Sequence, residues 1–439
     1  MMKKKLFCLA LCLLALLPAL SGCAGSKDPV KLTMWHNYGG DMQQTMDRLI
    51  DQFNATVGAE EGIVIEVTAI SSSSELDSSL AMIADGDPGA PDMPDIFTGY
   101  PKMAVRFQEK GMLSELGQYF TADELSAYVD AFVEEGRLSD GGLYVFPVAK
   151  STEILFVNQT LFDAFAAETG ADSALLGTFE GIARLSQLYY DWSGGKQFFT
   201  ADSWFNAAEV GMVQLGGSLF EESGGLQLDD PSFRHIFETF YLPATQGGFA
   251  VYGGYSSDLA KTGDIVCSTG SSAGILFYGD TITYSDGTSL EVEYSILPYP
   301  VFEGGERWAL QRGGGLMVAK TGSERERAAA EFIKWLTAPE QNMAFISQTG
   351  YLPVTKQAFE HDLPERLGEM EHPQIQKMLT AVLSMYEEYS FFTAPNFAEF
   401  DTLSDRYETQ FMRQMEAGQD AFESGTPIPA AEALAGLTD

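Results

Sequence analysis

Residues 311–356 read QRGGGLMVAKTGSERERAAAEFIKWLTAPEQNMAFISQTGYLPVTK. A glycine-rich loop leads into a short apolar strand, Leu316–Ala319, then two helices and a compact Thr-Gly-Tyr-Leu-Pro turn. Ser323 with Glu326 three residues on has the spacing of a capping box, in which each side chain satisfies one free backbone N–H. Ala329, Phe332, Ile333 and Leu336 repeat at helical spacing and give one buried face. Pro339 closes that helix or opens the next. The three glycines Gly313–Gly315 leave bare backbone, suited either to close approach of a ligand or to a hinge-side turn. No residue here is catalytic by its chemistry.

Around this stretch lies a chain of 439 residues, 45% hydrophobic, which is ample for two globular bodies. A formal charge of −36 disfavours nucleic acid and anionic membrane surfaces as partners. Residues 1–22 read as a targeting segment, with Lys3–Lys5 as a positive start and Leu6–Leu20 as an apolar run too short for a comfortable span. Leu20-Ser21-Gly22-Cys23 resembles the bacterial lipobox, which implies cleavage before Cys23 and lipidation of its thiol. Two acyl chains would anchor stably where one would not. Residues 23–29 follow as a polar tether. Of four cysteines, Cys8 and Cys12 fall in the leader, and by the lipobox resemblance Cys23 would carry the lipid. Cys267 is left without a disulfide partner, in an apolar run that suits a buried, inert thiol.

The pattern from residue 30 onward alternates strand and helix. VKLTMW at 30–35, IVIEVTAI at 63–70 and the run from Pro94 to Phe97 read as strands. Helices are expected over 42–53 and 75–84, which predicts a parallel sheet wrapped by helices. Ligands of such sheets sit at the carboxyl ends of the strands. The loops at 35–40, 71–74 and 98–100 are therefore the ones to watch. Thr121 and Glu124 form a second capping-box pattern, with Leu125, Tyr128, Val129 and Phe132 as the inner face of one helix. Further on, 154–157 reads as a strand, 203–215 as an amphipathic stretch, 265–272 as strand and turn, and 281–297 as a hairpin turned at Asp286-Gly287. Helices are expected over 375–389 and 401–415.

The chemistry of the common catalytic classes is missing. None of the four histidines pairs at metal-ligand spacing, and there is no HExxH, GxSxG elbow, phosphate-binding loop or dinucleotide fingerprint. Asp85, Asp87, Asp92 and Asp95 fail the spacing of a calcium loop and read as a solvated acidic stretch. No metal or cofactor is expected. A carboxylate pair for glycoside hydrolysis could be found among 62 acidic residues, and that abundance makes such a pair uninformative.

The run GG-x-L-x-V, then AAAEFIKWLTAPE, then TGYLPV is similar to the carbohydrate-type solute-binding proteins of ABC importers, closest to the branch that includes the glycerol-3-phosphate-binding proteins. The resemblance extends over nearly all of residues 30–430. It implies an α/β chain in the two-lobed, type II periplasmic-binding-protein-like fold, each lobe a mainly parallel sheet flanked by helices, with several hinge crossings. Lobe 1 would comprise 30–148 with about 299–348, and lobe 2 would comprise 149–298 with about 349–439. Position by position it implies ligand contacts at Ser71, Ser151, Thr152, Ser271, Ser272, Gly313, Gly314 and Tyr351, with Lys150 and Arg312 standing where the family has a serine and a glycine.

Hydroxyls and backbone N–H groups at those positions suit a polyol, since sugar hydroxyls both donate and accept. Trp35, Tyr38, Tyr100 and Trp204 are candidate platforms for a sugar face, and Trp35 and Trp204 equally suit a core. The branch's phosphate-binding arginine has no counterpart in SFFTAPNFAEF at 390–400, although Arg312 or Lys150 could substitute. The expected function is a lipid-anchored, extracytoplasmic receptor that captures a sugar or oligosaccharide between closing lobes and hands it to a membrane permease. A monomer without enzymatic activity is expected, held to the membrane through its lipid alone and binding no nucleic acid. Glycerol-3-phosphate or a glycerophosphodiester stands second as ligand. A secreted glycoside hydrolase and a receptor feeding a sensor kinase are the competing classes.

Overall fold

The computed structural model describes residues 28–70, 73–221, 224–397 and 399–437. The leader, Cys23 and Ser71 lie outside the described residues. In chain order the first strands are β1 (Val30–His36), β2 (Ile63–Ala69), β3 (Ile96–Gly99), β4 (Phe146–Pro147), β5 (Ser151–Asn158), β6 (Phe199–Ala201) and β7 (Cys267–Ser271). Then come β8 (Thr281–Thr283), β9 (Ser289–Glu291), β10 (Tyr294–Leu297), β11 (Trp308–Arg312), β12 (Gly315–Val318) and β13 (Ser390–Phe392). They build two main sheets, β2-β1-β3-β12-β4 and β13-β11-β5-β7-β6, with β10 also on β5 and β8–β9 as a separate hairpin.

Alternation along β1 explains the first sheet. Leu32 and Met34 point to the face covered by helix Gly40–Ala55, which buries Met46, Leu49, Ile50 and Phe53. Trp35 points the other way, onto the cluster of Leu76, Leu80, Phe97 and Phe107. β1 runs parallel to β2 and β3, so His36, Ala69 and Gly99 end at one edge. β12 enters antiparallel between β3 and β4.

The second sheet is mixed rather than mainly parallel. β5 starts at the edge facing the first sheet, whereas β7 ends there, so Glu153 pairs with Ser271 in antiparallel register. β10 and β11 also run antiparallel to β5, while β6 follows β7 and β13 follows β11 in parallel. Because β11 belongs to this sheet, the chain returns to the first between Arg312 and Gly315, later than the recrossing expected near Pro298.

Two expected helix starts differ in instructive ways. The Thr121–Glu124 capping box forms, but its helix stops at Ser126 and a second runs over Asp130–Glu135. Tyr128 and Val129 between them pair instead with Thr355 and Val354, a tertiary bond no local pattern announces. Helix Ser323–Leu336 is not capped by Ser323. Glu326 reaches back to the N–H groups of Thr321 and Gly322 (3.1 and 2.8 Å) and also accepts the Ser114 and Tyr119 hydroxyls (2.6 and 2.8 Å). The acidic stretch is only partly solvated. Asp95 is buried under a bidentate bond from Arg325 (2.8 and 2.6 Å), and Asp85 pairs with Arg106 and Lys110.

Three segments join the two bodies side by side. They are 148–150, 313–314 and 350–352. Lys150 and Leu352 exchange backbone hydrogen bonds (3.1 and 2.6 Å), which ties the first crossing to the third. Gly313 lies against the first crossing with φ +101, and a Cβ there would meet Ala149 O at 2.6 Å and the Lys150 Cα at 2.8 Å. A Cβ at Gly314 would meet Gly99 O at 2.8 Å, and one at Gly315 would meet Phe146 O at 2.3 Å. The triple glycine therefore exists for backbone packed on backbone.

Candidate functional site

Where the strand ends of the first body meet the crossings, a cavity of about 30 Å³ opens. Asn37, Tyr38, Asp77, Thr98, Gly99 and Tyr100 line it from the first body, with Ala149, Gly314 and Tyr351 from the crossings. Tyr38 follows β1 and Tyr100 follows β3, at the carboxyl edge that the parallel register creates. Asp77 projects from helix Ser73–Asp85. The Tyr38 and Tyr351 rings meet edge-on at 6.1 Å, both backed by Phe345. Burial, reinforced by the neighbouring phenols, pushes the hydroxyls of Tyr38 and Tyr351 far above the usual tyrosine range, so both remain neutral donors.

On the second body's side, Arg312 at the end of β11 donates from Nη1 to Glu153 Oε1 at 2.5 Å. Burial opposes the guanidinium charge, yet the negative surroundings of Glu153, Tyr100 and Asp202 together raise its pKa. Asn206 Nδ2 also donates to Glu153, at 3.1 Å. Asp202, after β6, accepts the Ser256 N–H at 2.7 Å, and burial raises its pKa. A Cβ at Gly270 would lie 2.4 Å from the Asp202 carboxylate, so the glycine of Thr-Gly-Ser-Ser clears space for that acid. Lys150 is not free for a ligand. It is buried, paired with Glu135 at 2.9 Å, and donates to Gly313 O at 2.9 Å.

The structure gathers most of the expected residues, in different roles. Ser151 and Ser271 meet through their hydroxyls at 3.2 Å beside the crossing. Thr152 spends its hydroxyl on Leu310 O (2.9 Å), and Ser272 Oγ accepts the Thr152 N–H (3.3 Å), so these two knit β5 to its neighbours. Gly313 is hinge backbone, whereas Gly314 reaches the cavity. Tyr100 and Tyr351 line it, and Arg312 interacts electrostatically with both. Trp204 is outside this group. It is 1% exposed, boxed by Phe199, Phe240, Phe249 and Phe411 in the second body's core. Trp35 packs under helix Ser73–Asp85, away from the cavity lining.

Sequence reasoning missed Asp77, Glu153 and Asp202. Each is one acid among 62, and only the three-dimensional path singles it out. It also missed Tyr255, 70% exposed, and Phe277, 52% exposed. Their chain neighbours Ser256 and Tyr278 share a 2.8 Å hydrogen bond.

The family model described as bacterial extracellular solute-binding protein matches residues 48–372. The maltotriose-binding protein of Pyrococcus abyssi is 24% identical over 340 residues, spanning 74% of this chain and 66% of that relative. The sn-glycerol-3-phosphate-binding periplasmic protein UgpB of Brucella abortus is 24% identical over 377 residues, 79% of this chain and 81% of its own. Among solved structures, the cyclic alpha-maltosyl-1,6-maltose binding protein from Arthrobacter globiformis shares the fold with a TM-score of 0.69. It is 20% identical, and the match covers 93% of this chain and 97% of that one.

Proposed function

The chain belongs to the bacterial extracellular solute-binding proteins, and on that premise we propose that it is the lipid-anchored substrate receptor of an ABC importer, capturing a sugar or oligosaccharide without chemical change. The observation that carries this reading is the junction of three adjacent crossings with a cavity lined by the first body's strand ends and by a residue of each crossing. Only a ligand that contacts both bodies can favour their closed arrangement. We assign residues 30–148 and 313–349 to one lobe, and 149–312 and 350–437 to the other. Residues 1–22 act as the leader and Cys23 as the lipidated anchor through the 23–29 tether. No helix among the described residues is long and apolar enough to cross a membrane.

Tyr38, Tyr100 and Tyr351 supply flat apolar faces with donor tips, and Ser151 and Ser271 add hydroxyls, a set suited to sugar rings. A glycerophosphate ester stands second, favoured by the likeness to UgpB. Its recognition would need a cation with bonds to spare, whereas Arg312 is engaged by Glu153 and Lys150 by Glu135.

Isothermal titration of the full chain against maltotriose, other neutral oligosaccharides and glycerol-3-phosphate tests the reading. Saturable binding of a neutral oligosaccharide, recovered intact afterwards, is the expected result. Release of shortened products would replace the receptor with a hydrolase. Tight binding confined to phosphate esters would promote the second ligand class.

A further inference from the structure

Charge around the cleft is unbalanced in one direction. Four carboxylates, Asp77, Glu153, Asp202 and Asp401, are met by two cations, Arg312 and Lys102. Both cations are engaged, Arg312 by Glu153 and Lys102 by Asp401. Asp202 takes a backbone N–H and no ion pair. Asp77 lines the cavity and makes no hydrogen bond or ion pair among the described residues. Lys102 and Asp401 act on it electrostatically in opposite senses, and burial dominates, raising its pKa.

The surroundings of Asp77 are aromatic. Tyr38, Tyr100 and Tyr351 line the same cavity, and no hydrogen bond occupies the hydroxyls of Tyr38 or Tyr351 among the described residues. Lys102 Nζ, paired with Asp401, lies 5.8 Å from the Tyr100 ring centroid, so that ring already meets one ammonium. An anionic oxygen edged by tyrosine faces is the environment in which a cation gains both Coulombic and cation–π attraction. A neutral hydroxyl would gain neither in full, and a phosphate would be repelled.

Resting on the receptor reading above, we propose that Asp77, with Tyr38, Tyr100 and Tyr351, forms a subsite for a protonated amine on the ligand, making amino-bearing saccharides the preferred substrate class. The amine sits against the Asp77 carboxylate among the tyrosine rings, and the neutral Arg312–Glu153 pair presents hydrogen-bonding groups to adjoining hydroxyls. The chain's overall charge of −36 steers such a cation toward the mouth.

The test is calorimetric titration of the full chain with a glucosamine trisaccharide, its fully N-acetylated counterpart and maltotriose, at low and moderate salt. The amine-bearing trimer should bind at least about tenfold more tightly than its acetylated form, with the preference shrinking as salt rises. Asp77→Asn should erase that preference, lowering affinity for the amine-bearing trimer at least about fivefold more than for its N-acetylated counterpart or maltotriose. Its thermal melt controls for folding, and the wild-type comparison of the first two ligands stands without any variant. Equal affinity for amine and acetamide overturns the amine subsite. So does an Asp77→Asn loss shared equally by all three, which would make Asp77 an ordinary acceptor for hydroxyls while leaving the receptor reading intact. Binding by none of the three overturns the subsite and weakens the receptor reading with it. Retained maltotriose binding with no amine preference separates the two failures.

Discussion

Glu209 lies buried on helix Trp204–Gln214 with its Oε2 unpartnered, and burial alone lifts its pKa to about 8. A carboxyl raised in the folded state holds its proton there and releases it on unfolding near the ordinary value of 4.5. Its contribution is therefore fully present below about 4.5 and is lost as pH climbs through about 8. The difference amounts to ~5 kcal/mol at most. Glu209→Gln should melt with the wild type near pH 5 and above it at pH 9. Parallel melting curves across that window would show that the carboxyl finds a charge partner. Lys150 is the opposite case, a buried cation satisfied by Glu135 and Gly313 O. Lys150→Met strands Glu135, so urea unfolding should show a loss of about 3 kcal/mol. An unchanged midpoint would remove Lys150 from the list of residues that hold the crossings together.

Among the elements, the 313–314 crossing is the least tolerant of change. A Cβ at Gly313 meets backbone on the neighbouring crossing, in a conformation already unfavourable to L side chains. Gly313→Ala should lower the unfolding free energy by about 1–3 kcal/mol and weaken ligand binding as well, because the crossing must shift. Titration calorimetry beside thermal melts distinguishes a hinge effect from simple loss of stability. The start of helix Ser323–Leu336 behaves differently from its pattern. Ser323→Ala should cost almost nothing, since the hydroxyl caps no N–H, whereas Glu326→Ala frees two N–H groups and two hydroxyls at once. A loss of about 2 kcal/mol is expected for the second alone. The Ser-x-x-Glu spacing was legible and its helix was real, yet two of the glutamate's partners, Ser114 and Tyr119, lie 212 and 207 positions away in sequence.

At the scale of the whole molecule, function depends on how two bodies meet. Lys102, on the helix after β3, pairs with Asp401 at the start of the long helix Phe400–Glu423, which packs on the second body. Both side chains are partly exposed, so the pair is worth less than about 1 kcal/mol. Asp401→Asn should weaken ligand affinity by no more than about fivefold and raise the radius of gyration of the unliganded protein slightly in solution scattering. Saturating ligand should restore the compact profile of the wild type. Identical profiles with and without ligand would argue against capture by closure.

Periodicity and turn chemistry by themselves determined the strand–helix alternation, the parallel run of β1, β2 and β3, and the buried Cys267, because each rests on neighbours within a few residues. The strand-end rule marked Tyr100, and the family resemblance marked Ser151, Ser271 and Tyr351, as candidates for ligand contact. Only the tertiary structure assigned the triple glycine to backbone packing, sent Trp204 into the core and bound Arg312 and Lys150 to buried glutamates. It alone separated Asp77, Glu153 and Asp202 from 62 acids. A side chain's role here depends on which charge or ring lies across the junction, and that neighbour comes from a distant part of the chain.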